Sequence, residues 1–333
     1  MRFLTYAASA AALTLGLAAL APTAARACAC GCGIFDIGGG ALMPPDSPTG
    51  FSAWFRYSYM DQTRNREGGH AAAAADNPDK SIETHFYTFG GQYMINHKWT
   101  IMAEVPIYDR TFVSTDDGGV AGPEGSVYRA RETGLGDAQL TAVYTGLAKD
   151  MSTGLSLGVK LPTGDDKGPT GPLGGAEFDR DTLPGTGSTD LIFGAYHIGR
   201  FDPEGRLSWF AQARYQVAVT TRGGYRPGDE FNTAVGVGYD LGRIGPFPKV
   251  APVLQLINSH RQRDSGDASD TLNSGYERLL IGPGLELRAG KVRLFIDVAL
   301  PLYEHVNSAP PGSGKAGQLT APALVNVQAT YSF

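Results

Sequence analysis

The chain has 333 residues and a net charge of −5 at pH 7; 42% of its residues are hydrophobic, 18% are charged and 45 are glycines. Charged residues are scarcer than the roughly 25% of ordinary globular domains, and glycine well exceeds its usual share of about 7%. The many aromatic residues exclude a disordered chain. The negative charge gives no electrostatic reason to expect nucleic acid as a partner. This composition favours many β-strands.

Residues 1–27 have the features of a secretory signal peptide. Arg2 supplies a positive charge, residues 4–20 form an apolar stretch, and Ala25-Arg26-Ala27 fits a cleavage site. No later stretch approaches 18 consecutive apolar residues, so we expect no membrane-spanning helix after cleavage. The mature protein is therefore predicted to be exported.

The three cysteines, Cys28, Cys30 and Cys32, directly follow the predicted cleavage site. Such close spacing does not provide a disulfide framework for the rest of the chain. Three interpretations remain open: a site for a soft metal ion, Cu or Zn, because thiolates are soft ligands; lipidation of Cys28; or an incidental thiol cluster. We expect residues 28–49 to form a periplasmic segment that could also bind a periplasmic partner.

From residue 50 onward, apolar and polar residues alternate with the period of two that is typical of β-strands. In the last segment Val325, Val327 and Ala329 share one face, and polar residues occupy the other. Pro283 lies near the middle of a predicted strand, where we expect a bulge. The predicted strands are 50–60, 82–95, 99–110, 134–146, 153–163, 188–199, 206–218, 230–241, 249–260, 276–288, 291–303 and 321–333.

The connections between these twelve segments alternate between two to seven residues and 11 to 24 residues. Short turns at one rim and long loops at the other are typical of an outer-membrane barrel, with the turns in the periplasm. Strands survive in lipid only when the barrel is closed. Residues 50–333 are therefore predicted to form a closed antiparallel barrel of about twelve strands in the outer membrane of a Gram-negative cell. A water-soluble sandwich is the alternative that fits the alternation but not the loop asymmetry.

Aromatic residues are predicted to form a girdle at each lipid–water interface. Those near the short turns are Tyr93, Trp99, Tyr144, Tyr239 and Tyr331, and those near the long loops are Tyr59, Tyr108 and Tyr303.

Several motifs resemble those of the outer-membrane transporter-like family named for the MetA pathway of phenol degradation. They are Glu104-Val105-Pro106, Gly134-Leu135-Gly136-Asp137, Leu161-Pro162-Thr163-Gly164-Asp165 and Pro184-Gly185-Thr186-Gly187-Ser188. The resemblance covers roughly residues 50–333 and does not include the cysteines. It implies an outer-membrane barrel that passes small, often organic compounds.

The inward faces of the predicted strands carry charges of both signs together with aromatic rings. Such a mixture lines an aqueous path, or it fills a narrow barrel with a cross-strand network. The aromatic rings suit a constriction or a binding site for an aromatic solute, and packing that only fills the barrel explains them equally well. The predicted lumen-lining residues are Trp54, Arg56, Phe86, Glu104, Asp137, Lys160, Phe210, Arg214, Arg278, Glu286, Arg293 and Asp297.

Three functions follow as hypotheses. The first is a passive channel for small solutes in the lipid bilayer, and the second is a barrel that handles a soft metal or binds a periplasmic partner through residues 28–32. The third is an outer-membrane hydrolase, which needs a serine and histidine pair on the outer wall. His85 and His197 are predicted to face outward, but neither accompanies a recognisable serine motif.

Overall fold

The computed structural model describes residues 36–40, 49–115, 123, 125–168, 180–309 and 317–333. The predicted signal peptide and the three cysteines lie outside these ranges. No helix within them is long and apolar enough to cross a membrane. Their strands are β1 (Gly50–Gln62), β2 (Arg64–Glu67), β3 (His70–Ala71), β4 (Asp79–Asn96), β5 (Trp99–Thr115), β6 (Val127–Leu135), β7 (Gln139–Tyr144), β8 (Thr153–Lys160), β9 (Thr189–Arg200), β10 (Leu207–Thr220), β11 (Glu230–Tyr239), β12 (Lys249–Arg261), β13 (Tyr276–Ala289), β14 (Val292–Val306), β15 (Gln318–Thr320) and β16 (Leu324–Ser332), and a 3₁₀ turn spans Ala74–Asp76.

Thirteen of these strands form one closed antiparallel barrel. β1 pairs with β4 on one side and with the last strand, β16, on the other, which closes the ring. β6 and β7 both pair with β5, at its two ends, and so occupy one position of the ring. The barrel therefore has twelve strand positions, as the sequence predicts, and short and long connections alternate around it.

The outer surface is apolar. Phe55, Phe89 and Leu157 are among the large side chains exposed on it, and near the short turns Trp99 packs against Tyr144 with ring centroids 4.8 Å apart. A closed hydrogen-bonding ring with an apolar exterior meets the requirement for spanning lipid. The fold is thus a transmembrane β-barrel of the outer-membrane type.

Tyr108 does not belong to the girdle that the sequence predicts. It lies opposite Phe86 in the β4–β5 ladder, and the two rings meet edge to face with centroids 5.0 Å apart inside the barrel. The neighbouring residues Ile107 and Asp109 take the outward positions, because side chains alternate strictly along a strand.

Two further expectations about the strands are wrong. The segment 134–146 is not one strand, because the ladder is interrupted at residues 136–138, between β6 and β7. Pro283 causes no bulge: its pairing with Leu254 of β12 is continuous, and the ladder to β14 keeps one register on both sides of it. The register shift lies instead between Leu279 and Leu280, beside Pro301.

A small second sheet covers part of the extracellular end. β2 pairs with β15 and β3 to form it. It is fixed to the barrel by an ion pair between Arg66 Nε and Glu304 Oε2, 3.0 Å apart, and by a hydrogen bond of 2.9 Å that Gln62 donates to the carbonyl of Leu319. The small sheet is therefore attached to the barrel at this end.

Candidate functional site in the barrel lumen

Residues Asp36–Gly40, which we call the crossing segment, lie inside the barrel. Gly38 N–H donates to Oε1 of Gln212 at 2.8 Å, and Gly39 N–H donates to Oε1 of Gln255 at 2.9 Å. These glutamines come from β10 and β12. Residues 28–49 are predicted to be periplasmic, but Asp36–Gly40 occupy the lumen, because inward-facing side chains bind their backbone.

The crossing segment needs glycines because side chains of the wall lie very close to its backbone. Gly38 has a φ of +95°, and a Cβ on it would lie 2.7 Å from Oε1 of Gln255. A Cβ on Gly39 or Gly40 would lie 3.0 Å from the ring of Phe295. Only glycine fits all three positions without movement of the wall.

Asp36 is the charged group of the crossing segment. Its carboxylate forms an ion pair with Arg56 of β1 and lies 3.7 Å from Nη2 of Arg214 of β10. Gln139 of β7 donates to it at 3.4 Å and accepts a hydrogen bond of 3.0 Å from Arg214. Glu104 of β5 lies 4.0 Å from Arg56. We call these five residues the Asp36 cluster; within it two guanidinium groups face two carboxylates.

Two cavities meet at the Asp36 cluster. The larger, of about 400 Å³, extends towards the periplasm, and Trp54 and Tyr196 are among its lining residues. The smaller, of about 150 Å³, extends towards the extracellular loops and is lined by residues that include Phe86 and Tyr108. All five members of the cluster line both cavities. The cluster thus forms the boundary between the two halves of the lumen.

Asp137 holds the extracellular part of the wall together where the ladder is interrupted. Its carboxylate accepts hydrogen bonds from Gly164 N–H at 3.0 Å and from the N–H and hydroxyl of Thr186 at 2.9 and 2.6 Å. Lys160 Nζ lies 3.4 Å from Asp137 and 2.8 Å from Asp190. One buried carboxylate therefore joins two loop segments to the end of β6.

Glycines at the same place allow three backbone segments to meet. A Cβ on Gly164 would lie 2.7 Å from Cα of Gly185 and 2.8 Å from the carbonyl carbon of Gly136. Asp165 N–H donates to the carbonyl of Leu135 at 3.1 Å, which continues the β6 side of the wall into the loop. Three of the four motifs that carry the family resemblance therefore converge here, and together they close the barrel wall at the interruption.

The twelve predicted lumen residues divide by location. Those that line a cavity are Trp54, Arg56, Phe86, Glu104, Asp137, Lys160, Arg214 and Arg293. The other four, Phe210, Arg278, Glu286 and Asp297, are buried side chains that fill the barrel.

Arg293 and Glu286 belong to a second charged group near the periplasmic rim. Glu286 lies 2.8 Å from Arg288 and 2.9 Å from Arg293, and Arg293 donates to the carbonyl of Gly39 at 2.7 Å. This group therefore fixes the second end of the crossing segment.

The remaining buried residues contact the wall. Asp297 accepts hydrogen bonds from Gln255 at 3.3 Å and Asn326 at 3.0 Å. Arg278 lies over the ring of Tyr276 at 3.7 Å. Phe210 belongs to the buried apolar cluster that contains Ile37 of the crossing segment.

The two histidines considered for a hydrolase face outward, as predicted. His85 lies 2.8 Å from the Tyr57 hydroxyl and 3.0 Å from Glu83, and His197 lies 2.8 Å from the Thr153 hydroxyl. The hydroxyl groups beside them thus belong to tyrosine and threonine. Cys28, Cys30 and Cys32, the predicted metal ligands, lie outside the described residues.

Several residues of the lumen are not among those predicted from the sequence, namely Asp36, Ile37, Gln139, Gln212 and Gln255. The glutamines lie on inward faces of predicted strands, but an uncharged amide gives no signal of its own. The run of three glycines after Asp36 and Ile37 is the feature that could have indicated a backbone held close to other groups.

Comparison with solved structures finds this fold in an outer membrane channel from Pseudomonas putida F1, with a TM-score of 0.61 and 12% identity over 88% of this chain and 100% of that one. The β domain of the Bordetella autotransporter BrkA has a TM-score of 0.47, with 13% identity over 85% of this chain and 100% of that one. The CymD monoaromatic hydrocarbon channel has a TM-score of 0.41, with 9% identity over 87% of this chain and 90% of that one. A comparison of the sequence with curated proteins gives no match.

The family model described as "Putative MetA-pathway of phenol degradation" matches residues 60–299, more than half of the chain. This match includes the three motifs that meet at the wall interruption and confirms the resemblance. The chain therefore belongs to this family, as an outer-membrane β-barrel.

Proposed function

We propose that the protein is an outer-membrane channel for the passive passage of small solutes, organic and aromatic solutes among them. The observation that carries this proposal is the pair of cavities that meet at the Asp36 cluster. Their walls combine charges of both signs with the rings of Trp54, Tyr196, Phe86 and Tyr108. Such a lining suits solutes that have both a polar group and an apolar body.

The barrier between the cavities is made of groups that can separate. It consists of ion pairs and hydrogen bonds to the crossing segment, whereas the strands around it are joined by backbone ladders. Breaking these side-chain contacts leaves the backbone ladders of the wall intact, so the segment can open locally without unfolding of the barrel. We therefore expect the crossing segment to open more readily than the wall, and the channel to conduct when it does.

Conductance in planar bilayers tests this proposal. In Gly38→Val the added side chain conflicts with both the φ of +95° and Oε1 of Gln255, so we expect the crossing segment to leave its place and the conductance to rise. Gly242→Val is the matched control: Gly242 also has a positive φ, of +77°, but a Cβ there meets nothing within 4 Å. Its pores should match those of the wild type. If neither the wild type nor Gly38→Val opens discrete pores, the channel proposal fails.

A further inference from the structure

We infer that Arg56, Gln139 and Arg214 form a binding site for the carboxylate of a small organic acid, and that Asp36 occupies this site when no solute is bound. The inference rests on the proposed channel function and names the class of solute: a carboxylate attached to a compact, apolar or aromatic body.

The donors of the proposed site all belong to the barrel wall. Arg56, Gln139 and Arg214 belong to three different strands of the wall, β1, β7 and β10, yet they converge on one carboxylate. Guanidinium groups match the planar carboxylate in geometry and charge. The acceptor, Asp36, belongs instead to the crossing segment. The donors are therefore fixed by the barrel, and the acceptor is the part that a solute can replace.

The charge of the cluster favours an anionic solute. With Asp36 in place, the two guanidinium groups share its carboxylate, and Glu104 lies 4.0 Å from Arg56. If Asp36 leaves, both arginines lose this carboxylate, and the side chain of Arg56 is only 6% exposed. Removing an anionic partner from a buried cation is strongly unfavourable. A neutral solute such as a phenol would leave the cluster in that state, whereas a carboxylate restores its balance.

The cavities beside the cluster leave room for the body of the solute. The cluster lies at the junction of the two cavities, and the larger one, of about 400 Å³, has Trp54 and Tyr196 in its wall. That volume falls within the roughly 300–1,000 Å³ of small-molecule sites. A carboxylate bound by the two arginines can therefore direct an aromatic ring into this cavity.

Calorimetric titration of the mature protein in detergent tests the inference, with benzoate, its neutral analogue benzamide, and inorganic phosphate as probes. Because Asp36 competes for the same donors, it lowers the apparent affinity by the fraction of time that it occupies the site. Asp36→Asn should therefore bind benzoate at least about tenfold more tightly than the wild type, with benzamide unchanged. Adding Arg214→Gln should remove this gain. Asp150→Asn, the same substitution in a periplasmic turn, should leave all three affinities at wild-type values.

The inference is overturned if Asp36→Asn gives benzoate no gain, if benzamide gains equally, or if phosphate gains as much as benzoate, because the cluster would then not select carboxylates. Each variant should keep the heat-dependent gel mobility of a folded barrel, and Asp36→Asn tests the site without removing an arginine. The two proposals fail separately. Tighter benzoate binding without pores would refute the channel and leave the site, and pores without tighter binding would refute the site alone.

Discussion

Replacing Asp137 with alanine should destabilise the barrel strongly, because this carboxylate fixes the wall where the ladder is interrupted. The substitution removes the acceptor of Gly164 N–H and of both the N–H and the hydroxyl of Thr186. A hydrogen bond to a charged group contributes about 1.5–3 kcal/mol, and breaking a buried charged network costs about 3–5 kcal/mol. Lys160 keeps Asp190 at 2.8 Å, so its charge retains a partner. We therefore expect the free energy of unfolding to fall by about 3 kcal/mol, at the lower end of that range.

Guanidinium unfolding of the barrel in detergent micelles, followed by tryptophan fluorescence, measures this loss as a lower midpoint at an unchanged slope. Asp137→Asn keeps the shape of the side chain and one acceptor oxygen, so its free energy of unfolding should fall by about half as much. Asp150→Ala is the control, because the hydrogen bonds that Asp150 accepts from Ser152 lie in an exposed turn; its free energy of unfolding should fall by less than about 1 kcal/mol. The reasoning is refuted if Asp137→Ala lies within about 1 kcal/mol of the wild type, or if Asp150→Ala loses as much.

Three further predictions concern other parts of the chain. Gly185→Ala should lower the unfolding midpoint far more than Gly242→Ala, because its Cβ would contact the backbone of Gly164 while that of Gly242 meets nothing within 4 Å; equal midpoints would contradict this. A double-mutant cycle should give a larger coupling energy for Arg66 and Glu304, whose glutamate is 2% exposed, than for Arg131 and Asp109, whose arginine is 67% exposed, because solvent screens the exposed pair; equal coupling energies would contradict this. If residues 28–32 bind a soft metal, Cu or Zn measured by elemental analysis should fall when all three cysteines become serine, and equal metal content in both proteins would exclude that role.

The strands could be predicted from the sequence because alternation is a local property. Each face of a barrel strand meets one solvent, lipid or lumen, so the pattern within about ten residues determines which side chains point inward. The twelve strand positions and the inward orientation of Arg56 and Arg214 follow from this pattern alone. Tyr108 follows the same pattern: its position near a rim suggested the girdle, but its even-numbered place in β5, shared with Glu104, directs it into the lumen.

The wall interruption was not predicted, although the alternation changes there. Leu135 and Leu140 are both exposed on the outer face, so the inward side chains change from even-numbered in β6, such as Glu132, to odd-numbered in β7, such as Gln139. The cause of the interruption lies in Gly164 and Gly185, which approach Gly136 only in the folded barrel. The motifs signalled that these segments matter but not that they meet. The position of the crossing segment was not predicted for the same reason, since its partners Gln212 and Gln255 lie far from it in the sequence.

Asp36 and Asp137 both lie in or beside the lumen and both bind cationic side chains, yet their partners give them different roles. Asp137 receives backbone N–H groups of Gly164 and Thr186, and such donors cannot turn away without refolding the loops that carry them. Asp36 receives side-chain donors from Arg56, Gln139 and Arg214, which can bind any other carboxylate in the same place. Removing the first acceptor therefore destabilises the wall, whereas removing the second empties a preformed site. Within one barrel, the donor type separates a permanent connection from an exchangeable one.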